Sequence, residues 1–216
     1  MRNSYIQKLI EQGEHQQLDF KFEISDSRKI AKTFVAFANT DGGRLLIGVK
    51  DNGAIKGIKS MEEFYMAEAS ATLYSSPAVE FDTKEWNVDG KKILEITIPE
   101  GEKKPYFAEN EEGKWLAYVR VNDQNILANR VWINAMKRKN NPAGTYINYS
   151  EKERLLLEYL EDNDFITVTK FRKISRLSKY KAEVILTNFL ALDLIEIIFS
   201  EKKVIYKLSH NFSDKR

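Results

Sequence analysis

Apolar residues recur along this chain with two different periods, and the changes of period divide it into elements. Ile30, Ala31, Phe34, Val35, Phe37 and Ala38 follow helical spacing, with Ser27 placed to accept hydrogen bonds from first-turn amides. Gly42 and Gly43 end that helix, because glycine tolerates the positive φ of a C-terminal cap. Residues 44–49 are then almost wholly apolar, which predicts a strand covered on both faces, and Asp51, Asn52 and Gly53 form a turn into a second short strand. A helix over residues 60–76 follows, opened by a Ser60/Glu63 capping box and stopped by Pro77. Residues 79–86 and 91–99 alternate apolar and polar positions around Asp89 and Gly90, the pattern of a hairpin.

A further helix over residues 126–139 presents Trp132, Ala135 and Met136 on its apolar side and runs into turn-forming residues. The chain accordingly divides into a domain at 1–139, a linker at 140–148 and a second domain at 149–216. In the second domain, Ser150 and Glu153 open a helix carrying Leu156, Leu157 and Leu160, and residues 168–177 make a short second helix. Ser178 caps a third helix with Ala182, Ile185, Leu186 and Phe189 on one face, and residues 194–199 and 204–208 flank a polar turn. Helix, helix-turn-helix and hairpin in this order resemble the winged-helix fold, which places its third helix in the DNA major groove.

The first domain resembles the Schlafen AlbA-like family through several separate motifs. Leu18-Asp19-Phe20-Lys21 is similar to the family's "EFK" segment, and Phe37-Ala38-Asn39-Thr40 with Gly42 and Gly43 to its "FANT-GG". Ile47-Gly48-Val49 with Asp51, Gly53 and Gly57 is similar to "IGV-D-G-G", Lys104-Pro105-Tyr106 to "KPYY", and Tyr118-Val119-Arg120-Val121 to "YIRV". The resemblance covers roughly residues 10–130 and departs from the family at Asp19, where glutamate is usual. The fold class expected is therefore α+β: a mixed-sheet Schlafen AlbA-like domain followed by a small winged-helix domain.

Composition narrows the chemistry. The 216 residues are 43% hydrophobic and 31% charged, ordinary values for a globular protein. No apolar run is long enough to span a membrane and the N-terminus lacks the apolar core of a secretory signal, so a cytoplasmic protein is expected. The absence of cysteine excludes disulfides, thiolate zinc sites and cysteine nucleophiles, while the two histidines, His15 and His210, leave little for a zinc or triad site. Any metal would be held by carboxylates.

Charge is unevenly placed. Residues 1–148 carry 21 basic and 21 acidic side chains, and residues 149–216 carry 13 and 11; within the latter, residues 151–164 hold six acids while residues 170–181 hold six basic residues and no acid. That basic cluster is an electrostatic footprint for phosphate. The nucleic-acid candidates are Ser178, Lys179, Tyr180, Lys181 and Asn188 on the third helix, with Lys170, Arg172 and Lys173 ahead of them and Lys202 and Lys203 at the hairpin tip. Lysines chiefly meet phosphate, while Asn188 or Glu183 has the chemistry to read a base edge. A solvated helix face or a protein-protein module is the plain alternative.

Some relatives in the family are metal-dependent RNA endonucleases. The resemblance carries their acidic triad onto Glu14, Asp19 and Asp51, with Lys21 as a phosphate-binding neighbour and Mg²⁺ or Mn²⁺ as the implied metal. Against this, acids five residues apart at a strand start are common, and Asp51 belongs to a turn that favours aspartate anyway. Family members are also often described as ATP-binding, but no G-x-x-x-x-G-K-[ST] occurs and the glycines are explained by caps and turns. Arg120 and Arg130 are equally suited to phosphate or to surface ion pairs, His15 to exposure, and Trp86, Trp115 and Trp132 to packing. The function expected is a DNA-binding transcriptional regulator on double-stranded DNA, acting as a homodimer on two half-sites, with RNA as the other nucleic-acid partner.

Overall fold

The computed structural model describes residues 5–141 and 149–210, which form a mixed α+β structure with seven helices and several small sheets among the described residues. Two compact units divide between Leu127 and Ala128. In the first, α1 (Tyr5–Gln12), β1 (Leu18–Lys21), α2 (Ser27–Asn39) and β2 (Gly43–Ile47) come in sequence, followed by α3 (Glu62–Thr72), β3 (Ser75–Ser76) and the hairpin β4 (Asp82–Val88) with β5 (Lys91–Ile98). The unit closes with β6 (Phe107–Glu109), β7 (Trp115–Leu116), β8 (Tyr118–Val121) and β9 (Gln124–Leu127).

The main sheet has the order β1-β2-β5-β4, with β1 and β2 parallel and the other pairs antiparallel. Its centre strand explains the unbroken apolar run. Leu45 and Ile47 pack with Phe34, Phe37 and Ile96 on one face, while Leu46 packs on the other with Ile6, Leu9, Phe20 and Ile93. A strand buried on both sides has no polar face to alternate with. The β4–β5 turn is the two-residue one expected, with Asp89 and Gly90 at φ +49° and +78° and Val88 paired with Lys91.

Gly42 ends α2 at φ +67°, its amide donating to the Phe37 carbonyl at 3.0 Å. The start of α2 lies one residue earlier than expected. Asp26, not Ser27, is the cap, accepting from the Arg28 amide at 2.8 Å; it has the extended backbone a cap needs, and its charge suits the helix dipole. The Ser60/Glu63 capping box does not form either. Glu63 reaches the Ile24 amide at 2.8 Å, a tertiary bond in place of the local one, and α3 begins at Glu62.

The second unit contains α4 (Arg130–Lys139), α5 (Glu151–Asp162), α6 (Val168–Ser175), α7 (Lys179–Ala191) and the antiparallel pair β10 (Ile195–Phe199) and β11 (Val204–Leu208). The expected helix over 126–139 is shortened, because Ile126 pairs with Val119 in the β8–β9 hairpin and Asn129 caps the helix through the Trp132 amide. Its placement also differs from the expected boundary. α4 packs on α7 with Val131, Trp132 and Ala135 buried, so the chain divides before this helix and not after it. Of the expected linker, residues 142–148 lie outside the described residues.

The capping box at Ser150 and Glu153 forms on α5, and Ser178 caps α7 by accepting from the Lys181 amide at 3.3 Å. Phe171, Leu186, Phe189 and Tyr206 are fully buried beneath the helices and hairpin. Ile166 and Tyr206 exchange two backbone hydrogen bonds of 2.8 Å, which ties the segment before α6 to β11.

Candidate functional site

In the first unit the chemistry gathers at β1, where parallel pairing with β2 buries Asp19 while leaving Lys21 half-exposed. Asp19 is 3% exposed and Arg120, from β8, is 2% exposed; their closest approach is 3.6 Å. Lys21 Nζ lies 3.0 Å from Asp19 and 3.9 Å from Glu14. Arg120 Nη1 donates to Asn125 Oδ1 at 3.0 Å, Asn125 Nδ2 donates to Thr33 Oγ1 at 2.9 Å, and Thr33 donates to Asp19 at 3.4 Å. Arg120 Nη2 also donates to the Leu18 and His15 carbonyls at 3.3 and 3.4 Å. The result is a closed polar ring around one buried ion pair, with Arg120 Nε the atom left without a partner.

Two carboxyls so close cannot both ionise freely. Burial, then a hydrogen bond with Asp19, pushes Glu14 up to about 7, against the pull of the Phe20 amide and Lys21. For Asp19, burial acts upward, but the hydrogen bond from Glu14 and the Lys21 and Arg120 cations outweigh it and hold its carboxyl below the ordinary value. Glu14 is thus the proton-sharing member and Asp19 the ionised one.

The expected acidic triad does not assemble. Asp51 sits on the exposed turn after β2, and among the described residues no three His, Cys, Asp or Glu side chains gather as a metal group. The donors do not fit Mg²⁺ or Mn²⁺, since the Asp19 oxygens already face Lys21, Arg120, Thr33 and the Phe20 amide. Arg120 faces neither phosphate nor solvent, contrary to its expected surface role. A lone charge in the apolar run Tyr118–Val121 was the signal that it needed a buried partner, and nothing local named which one.

The other motifs are architectural. Asn39 Nδ2 donates to the Tyr106 and Tyr118 carbonyls at 2.9 and 2.8 Å, and its Oδ1 accepts from the Tyr106 amide at 2.8 Å. One buried side chain therefore joins the three segments Phe37–Thr40, Lys104–Tyr106 and Tyr118–Val121. The His15 side chain, by contrast, is engaged locally, accepting the Gln17 amide at 3.2 Å. Trp86 donates to Glu95 at 2.7 Å and packs on Tyr5, Trp132 is buried, and Trp115 is largely exposed.

In the second unit, Lys170, Arg172 and Lys173 are exposed on α6, and Ser178, Lys179, Tyr180 and Lys181 are exposed at the start of α7. Lys202 and Lys203 are exposed in the turn between β10 and β11, with Lys203 Nζ 4.4 Å from the centre of the Phe165 ring. Two candidates sit differently from expectation. The Asn188 Oδ1 is buried with no partner among the described residues, so that oxygen does not face a base edge. Glu183 is half-buried and pairs with Lys179 at 3.8 Å.

Drawing the boundary at Leu127 changes the charge. Residues 1–127 carry 17 basic and 21 acidic side chains, a net of −4, whereas residues 128–216 carry 17 and 11, a net of +6. Arg130, Lys137, Arg138 and Lys139, all in the second unit, make the difference from the division expected at 139.

A mixed four-stranded sheet tied to its flanking hairpins by Asn39 and a buried Asp19–Arg120 pair defines the class of the first unit. The family model described as Schlafen, AlbA_2 matches residues 14–129, more than half of the chain, and the chain belongs to this family. No curated protein sequence matches it. Among solved structures, the DIP2311 protein from Corynebacterium diphtheriae is similar at 18% identity and a TM-score of 0.46, over 68% of this chain and 35% of that one. The N-terminal domain of a RecG-related protein from Nitrosomonas europaea is similar at 21% identity and a TM-score of 0.38, over 60% of this chain and 97% of that one. The chain spans about a third of the first of these proteins. At such scores neither similarity bears on function.

Proposed function

We propose that this chain is a DNA-binding transcriptional regulator whose second unit acts as a winged helix on duplex DNA. The observation that carries the reading is the run of exposed cations on α6, α7 and the β10–β11 turn, in a unit of net charge +6. Three helices followed by an antiparallel pair supply the element order that a winged helix requires, with α7 as the groove-entering helix and the β10–β11 turn as the wing. Lys179 and Lys181, in the first turn of α7, would meet backbone phosphates, and Tyr180, 69% exposed between them, would stand beside the groove wall. Base reading falls to Ser178 and Tyr180, since the Asn188 Oδ1 is buried and Glu183 pairs with Lys179.

The Schlafen, AlbA_2 unit, at net −4, would serve sensing, pairing or further nucleic-acid contacts, with the larger share of the long-range attraction to a polyanion falling to the second unit. In this reading the protein works in the cytoplasm as a homodimer, each copy presenting one α7 to a half-site. The test is a filter-binding titration of duplex DNA by the full chain and by Lys179→Glu/Lys181→Glu. Affinity should fall at least tenfold in the variant, the loss expected when two phosphate contacts turn repulsive, and the salt slope should shrink by about 2. Equal affinity for both proteins would remove α7 from the interface.

A further inference from the structure

The second unit contains a cleft of about 290 Å³ that joins two of the nucleic-acid candidates, Arg172 and Lys179, to the start of α4. It is lined by Asn129, Arg130 and Val131 at the start of α4, by Val168, Thr169 and Arg172 on α6, and by Lys179 and Glu183 on α7. Three cations from three separate helices thus converge on one concavity. Lys179 faces Glu183 at 3.8 Å; Arg130 and Arg172 are exposed, and among the described residues no carboxylate lies within ion-pair distance of either. Like charges held around a small space repel unless an anion joins them. The cleft bears three positive side chains against one negative, a net of +2.

Backbone polarity adds to the same preference. α4, α6 and α7 have no acidic residue in their first turns, so the positive ends of their dipoles are uncompensated, whereas α5 in the same unit carries Glu151 and Glu153 in its first turn. The volume falls at the lower end of small-molecule sites, which span roughly 300–1,000 Å³, so a single anionic group fits better than a whole cofactor. Two arginines offer planar forks of donors that match the oxygens of a phosphate.

We propose that this cleft is a phosphate site, with Arg130 and Arg172 as its principal ligands and Lys179 as the third cation. The site deepens the duplex reading if the group is a backbone phosphate, in which case α4 joins the nucleic-acid surface; a free phosphorylated ligand would use the same chemistry. Arg130 separates the two readings, because it lies outside the helix-turn-helix and wing residues.

The experiment pairs two readouts on the full chain and on the single variants Arg130→Ala and Arg172→Ala. One is an amide NMR titration with inorganic phosphate at constant ionic strength, following Val131 and Thr169. The other is the slope of log affinity against log salt for duplex DNA. The expected result is that wild-type signals of the cleft move with phosphate, that Arg130→Ala abolishes the movement, and that the salt slope falls by about 1 for the one phosphate lost. Loss of the phosphate shifts with an unchanged slope upholds the site and assigns it a free phosphorylated ligand. If the wild type binds no duplex while its phosphate shifts still depend on Arg130, the duplex reading fails and the cleft stands. If the wild type binds duplex and neither readout depends on Arg130, the cleft is overturned and the duplex reading survives. Absence of both binding events overturns both.

Discussion

Asp19 holds the first unit together through a charge that has nowhere else to go. Removing one partner of a buried ion pair strands the other, at a cost of about 3–5 kcal/mol, which far exceeds the net worth of the pair. Asp19→Ala should therefore lower stability by about that amount in urea unfolding. Asp19→Ala with Arg120→Met should recover a large part of it, because no charge is then left buried. A loss confined to a few tenths would mean that Arg120 finds water or another acid. For the same reason Asp19→Ala is a poor probe of chemistry, since it disturbs the fold first.

Glu14 makes the opposite contribution at the same point. Its carboxyl is raised from 4.5 to about 7, so the folded state favours the protonated form. Its stabilising effect is full below the unfolded value near 4.5 and is lost as pH rises through about 7. Asp19, held below its ordinary 3.8, contributes above that value and loses its effect as pH falls through the folded one. Glu14→Gln should flatten the decline in urea midpoint between about pH 5 and about pH 8, and a variant that keeps the wild-type decline would place the titrating group elsewhere.

Among the elements, the α2–β2 junction is the most constrained. At Gly42 the backbone has φ +67°, and an added Cβ would stand 2.7 Å from the Ile98 carbonyl of the adjacent strand. At Gly43 the same atom would meet the Phe37 ring at 2.5 Å. Gly42→Ala should cost more than about 1 kcal/mol, because strain and collision add, and the loss should show as a lower denaturation midpoint. This junction was legible because both glycines follow directly on a helical apolar stripe. The start of α3 was not, since the choice of Glu63 between capping its own helix and accepting from the Ile24 amide is made by tertiary packing, with α3 lying against α2.

Across the whole molecule, charge is partitioned between the two units, −4 and +6. Long-range attraction to a polyanion should therefore depend on the second unit. Substituting Lys56 and Lys59 of the first unit with alanine is expected to leave the salt slope of duplex binding unchanged, in contrast to Lys179→Glu/Lys181→Glu. A drop of about 2 from the first-unit pair would move nucleic-acid contacts onto the Schlafen, AlbA_2 unit.

The sequence by itself determined what rests on neighbours in the chain. The α2 stripe, the doubly buried β2, the Asp89–Gly90 hairpin, the Ser150 and Ser178 caps and the basic run from 170 to 181 all express local periodicity, backbone preference or composition. Tertiary structure decided what depends on segments far apart. Asn39 bonds to groups 67 and 79 residues away, Arg120 closes on Asp19, and Asp51 is left outside the cluster that the family resemblance grouped it with. It also decided that α4 belongs to the second unit, which turned a nearly neutral domain into a basic one and brought Arg130 beside Arg172 and Lys179. A helix carries its apolar face in its own sequence, but which surface that face covers is chosen by the competing surfaces available once the chain has folded.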